Sequence, residues 1–193
     1  MRGSNRDSGR IDMNKKVFLA TALEKLLYIA AADLMAMLVK LILNLIAKPI
    51  VDEIMSESSE IAKANAGKIF SGIYILAFVI LLAVLIIKNP SPRTAYLNAT
   101  YGEDYSFKKD LFVITPLPTL LVSAVFALPM SLVLAIFGDI KIVPLFFVPY
   151  YSMWEIVRNP WISYAIMTVM TAALISLFTE IAHVIWEKNR LRK

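Results

Sequence analysis

Leu26–Ala47, LLYIAAADLMAMLVKLILNLIA, is the stretch whose reading decides the fold. Its 22 residues suffice for a helix to cross the ~30 Å hydrocarbon layer of a bilayer. The run nevertheless carries Asp33, Lys40 and Asn44. At about 100° per residue these three fall within about 20–40° of one another, on one stripe of the helix. A charge at mid-membrane costs about 2.5–3.5 kcal/mol on insertion scales, so the stripe is expected to face protein or water rather than lipid. Other spans must then cover it.

The rest of the chain supplies them. Ile69–Ile87 is a run of 19 uncharged residues with nothing polar after Tyr74, and it is expected to be a lipid-facing wall. Leu111–Phe137 is uncharged over 27 residues and contains Pro116, Pro118 and Pro129, which predicts a kinked third span packed inside the bundle. Ile162–Trp186 is the fourth. Along it Thr168, Ala172, Ser176 and Glu180 recur every four residues, and His183 and Glu187 continue the same side. Small residues at that spacing allow close helix contact in a membrane.

Two segments read differently. Residues 48–68 open with Lys48-Pro49 and place Ile50, Val51, Ile54 and Ile61 on one side, predicting a short amphipathic helix on the membrane surface. Ile142–Trp154 is apolar but short, with two prolines and many aromatics. A re-entrant or interfacial segment anchored by Tyr150, Tyr151, Trp154 and Trp161 is preferred, with a fifth crossing as the alternative.

Composition agrees with a membrane bundle. Of 193 residues 59% are hydrophobic and 18% charged, and the mean hydropathy is +0.67. A soluble domain has about 25% charged residues. No polar segment is long enough to bury a core of its own. Residues 1–16 are expected to be a disordered basic tail and 17–193 a single polytopic helical domain. Met13 resembles a true start, which leaves open whether residues 1–12 are native. Ala30-Ala31-Ala32 resembles a signal cleavage site, but the apolar run continues beyond it, so a retained anchor is expected.

The net charge of +5 follows the loops. With four crossings, 14 of the 19 basic residues outside Lys40 fall on one side, which predicts both termini in the cytoplasm of a plasma or inner membrane. The basic residues form no patch interleaved with aromatics, so no nucleic-acid partner is expected. Asn98-Ala99-Thr100 is a formal glycosylation acceptor. On the cytoplasmic loop 88–110 it is a chance match.

Chemistry is sparse. With no cysteine, disulfides and thiolate chemistry are excluded. Glu180-x-x-His183 has the spacing of half a di-metal carboxylate site, but the chain's one histidine leaves the other half unmade. No metal, cofactor or catalytic residue is expected. There is no nucleophile elbow, Walker loop or dinucleotide glycine fingerprint. If spans one and four run antiparallel, Glu24 and Lys25 come level with Glu180 and His183, making interhelical pairing available.

The expectation is therefore an all-α membrane protein, a bundle of four spans. Its leading functional reading is a non-catalytic accessory or assembly subunit of a membrane transport or secretion complex. The lipid bilayer is its surroundings, and a protein partner or second copy would dock through the Thr168/Ala172/Ser176 face. The first alternative is a small cation- or proton-coupled transporter or oligomeric channel using Asp33 and Glu180. The second is a lipid-directed enzyme using Glu180 and His183.

Overall fold

Five helices follow one another in the computed structural model, which describes residues 4–88, 116–138 and 147–190. They are α1 (Ser4–Ile54), α2 (Glu60–Lys88), α3 (Pro116–Phe137), α4 (Val148–Val157) and α5 (Pro160–Arg190). All but α4 are long and apolar enough to cross a membrane, so the protein is an all-helical bundle of four membrane-spanning helices. Residues 89–115 and 139–146, with the Asn98 motif and the start of the proline-rich run, lie outside the described residues.

Helix boundaries correct the sequence reading between the first two spans. No separate surface helix occupies 48–68. Instead α1 runs on through Pro49 to Ile54, and α2 begins at Glu60. Pro49 removes the bond to the carbonyl of Leu45. It does so where Leu45, Ile46 and Ile50 are all exposed, away from any packing that a bend would disrupt. The chain reverses between the helices through tight turns, Ser56 N–H to Glu53 O at 3.1 Å and Ser58 N–H to Met55 O at 3.0 Å. Ser59 then caps α2, its hydroxyl accepting the Ala62 N–H at 3.4 Å. The apolar residues that suggested one surface helix are thus shared between two longer ones.

At the start of the chain, the backbone of residues 4–16 continues α1, which begins at Ser4. Extending an existing helix costs little compared with nucleating one, and no proline interrupts the sequence before Pro49.

Lipid on the outside removes the usual hydrophobic drive between helices, so close packing and polar contacts decide how they pair. The most extensive packing is between α3 and α5, which run antiparallel. Met167, Thr168, Thr171, Ala172 and Ile175 form the inward face of α5. The small-residue seam is thereby taken up inside the chain: Thr168 and Ala172 are buried, and Ser176 turns its hydroxyl onto the Ala172 carbonyl at 2.9 Å. Helix α2 is a lipid-facing wall on one flank only. Ser71, Tyr74, Phe78, Leu82 and Ile86 form a buried ridge, while Ile69, Leu76 and Ile80 are exposed.

Of the three prolines in the third run, Pro116 and Pro118 lie in the first turn of α3, where proline needs no donor, and only Pro129 sits in its interior. The aromatic segment is also resolved into parts. Its C-terminal half forms α4, which packs on α1, α2 and α5. At 10 residues α4 is too short to cross a bilayer. Tyr150, Tyr151 and Trp154 are buried in the bundle instead of anchoring it at the interface, and of the four expected anchors only Trp161 is exposed.

Candidate functional site

Helix α4 has an unusual start. Phe147, the residue before it, adopts a left-handed conformation (φ 54°, ψ 42°), and Pro149 follows in the first turn. A helix leaves its first backbone N–H groups without internal partners, and lipid offers them no acceptor. Asp33 of α1 does so. Its Oδ2 accepts the Phe147 N–H at 3.1 Å and its Oδ1 the Val148 N–H at 2.9 Å. Pro149 has no N–H to place, and Tyr150 and Tyr151 donate to the Phe147 carbonyl at 3.1 and 3.0 Å. Every donor of the first turn is accounted for, and a carboxylate at a helix N-terminus also meets the positive end of the helix dipole.

The two other stripe residues of α1 meet α2 and α4. Lys40 is 6% exposed. Its ammonium lies 5.4 Å from the ring centroid of Tyr74 on α2 and 4.8 Å from that of Tyr151 on α4. Lysines near a span end can extend their charge toward the membrane surface. Two aromatic faces hold that of Lys40 in the bundle instead. Asn44 accepts the Tyr74 hydroxyl at 2.8 Å through Oδ1. One turn before Tyr74, Ser71 donates to Glu155 of α4 at 2.5 Å. Asp33, Lys40, Asn44, Ser71, Tyr74, Tyr151 and Glu155 thus make one polar seam joining α1, α2 and α4.

The far end of α4 is closed as carefully. Arg158 is left-handed (φ 59°) and its N–H returns to the Trp154 carbonyl at 2.7 Å. Its guanidinium sits 5.1 Å from the Trp154 ring. Asn159 then starts α5, its Oδ1 accepting the N–H groups of Trp161 and Ile162, each at 3.1 Å. The chain therefore turns back within two residues.

Asp33 and Glu180 do not come together. Glu180 is exposed on α5. Lys25, 2% exposed, reaches α5 one residue earlier, at the Thr179 hydroxyl (3.5 Å). It also lies 3.5 Å from Glu24, its neighbour on α1, and its ammonium is 5.3 Å from the Tyr28 ring. Lys25 thus forms a second, smaller polar contact between α1 and α5, with Glu24 beside it on α1. The side chains of His183 and Glu187 lie outside the described residues. Among the described residues no group of three or more His, Asp and Glu gathers as a metal site.

Ser71 and Glu155 were missed in the sequence. Both carry a signal: Ser71 stands one turn from Tyr74, and Glu155 follows Tyr151 by four residues on the face of α4 that meets α1 and α2. Searches against protein-family models, curated proteins and solved structures find no match to this chain.

Proposed function

We propose that this protein is a non-catalytic membrane component, an accessory or assembly subunit of a transport or secretion complex. The observation that carries this reading is the engagement of both Asp33 oxygens by backbone N–H groups of Phe147 and Val148. A carboxylate that relays protons or binds a transported cation must exchange partners during its cycle. Asp33 instead completes the start of a short internal helix. Lys40, Asn44, Ser71, Tyr74 and Glu155 are likewise spent on contacts between helices.

The transporter reading loses support on the same geometry. A relay from Asp33 to Glu180 has no second station inside the bundle, because Glu180 faces outward. The burial of Thr168 and Ala172 within the chain favours a partner surface away from that seam.

Crosslinking in native membranes, followed by identification of the captured proteins, tests the proposal. The expected result is a stoichiometric larger complex from which the chain is recovered with the same partners. A monomer without partners, together with ion flux in liposomes that Asp33→Asn abolishes while the bundle stays folded, would replace this reading with the transporter.

A further inference from the structure

Hydroxyl groups in the bundle differ in how they are paired. Ser131, Ser163, Ser176 and Thr179 each donate to the carbonyl four residues earlier on their own helix, at 2.7–3.1 Å, which is how serine and threonine are usually accommodated in membrane helices. Ser123, Tyr150, Ser152, Thr168 and Thr171 do not, and their hydroxyl oxygens are buried without a hydrogen-bond partner among the described residues.

Four of these five share one region. Thr168 and Thr171 stand one turn apart on the inward face of α5. The Tyr150 hydroxyl of α4 is in a polar contact with Thr171 that is too loose for a well-formed hydrogen bond. On α3, Ala127 shares a core with Met167 and Tyr150, and Val122 shares one with Ile175. The antiparallel register of α3 and α5 therefore brings Ser123 to the level of Thr171. Ser123, Tyr150 and Thr171 are each 2% exposed or less.

We propose that Ser123, Tyr150, Thr168 and Thr171 form an internal water-binding site between α3, α4 and α5, beside the Asp33-capped start of α4. A buried hydroxyl left unpaired is costly, and bound water is the usual remedy where several converge. The chemistry selects water over other occupants. All four groups are neutral, and each can both donate and accept. A cation is disfavoured, because the nearest carboxylate is held by backbone N–H groups and the positive end of the α4 dipole points its way. An apolar guest would leave the hydroxyls as unpaired as before. This inference does not depend on the accessory role.

Hydroxyl-radical footprinting by X-ray pulses, on the intact protein in nanodiscs, tests the site, since radicals form on water bound beside a buried side chain. Tyr150 and the fully buried Met167 are expected to be oxidised, at rates near that of half-buried Tyr164, while the equally buried Phe78 stays unmodified. Protection of Tyr150 and Met167 to the level of Phe78 would overturn the proposal. Thr171→Val gives a second reading. With water bound, it slows Tyr150 oxidation and lowers the thermal midpoint, and Thr171→Ser restores both. In a dry site, Thr171→Val would raise the midpoint instead, which also refutes the proposal.

Discussion

The ammonium of Lys40 stands 4.8 Å from the centre of the Tyr151 ring, with the Tyr74 ring 5.4 Å away. One charge on α1 is therefore in contact with an aromatic side chain on each of the two helices it packs against. Desolvating an ammonium offsets much of what such contacts return. Lys40→Met, which keeps the volume and removes the charge, is accordingly expected to change stability by less than about 1.5 kcal/mol. Tyr151→Ala, which empties a buried site, is expected to cost about 3–5 kcal/mol. Thermal unfolding in detergent separates the two.

Ser71 and Glu155 tie α2 to α4 by a single hydrogen bond. A bond to a charged group contributes about 1.5–3 kcal/mol, and Ser71→Ala is expected to lose an amount in that range. Glu155→Gln retains an acceptor oxygen and should lose less. A double-mutant cycle on the pair, read by chemical denaturation, is expected to give a coupling energy of the same sign.

Asn159 supplies the cap of α5 through two backbone N–H groups. Its replacement by alanine is expected to destabilise the protein by about 1 kcal/mol. Asn159→Ser should recover most of that loss, as a thermal scan of the three proteins would register.

Orientation follows from loop charge, and the absence of native cysteine makes it easy to read. Glu57→Cys lies in the turn between α1 and α2, and Lys188→Cys near the end of α5. An impermeant thiol reagent added to intact cells is expected to label Glu57→Cys, whereas Lys188→Cys should react only after the cells are opened. Labelling in the reverse order would invert the topology.

How much of this was legible in the sequence depends on which interaction decides each feature. The stripe of Asp33, Lys40 and Asn44 was visible because helical periodicity alone puts three polar groups on one side, and lipid forbids that side to face outward. What meets the stripe was not visible. Asp33 finds its partners at Phe147 and Val148, more than a hundred residues later, and they are backbone groups with no side-chain signature. The aromatics of α4 looked interfacial by composition, since Tyr and Trp favour that zone. Burial beside Lys40 and against α3 overrides the preference. Pro49 looked like a helix start, yet a proline near an unpacked helix end is tolerated where it stands. Composition also could not tell that Thr168 and Ala172 are buried within the chain itself.

The account turns on Asp33 holding the start of α4 inside the bundle. Amide hydrogen exchange at Phe147 and Val148, followed in the wild type, Asp33→Asn and Asp33→Leu, measures this directly. Strong protection at both amides is predicted in the wild type, partial loss in Asp33→Asn, which keeps one acceptor oxygen, and loss at both in Asp33→Leu. Equal protection of the two amides in all three proteins would contradict it.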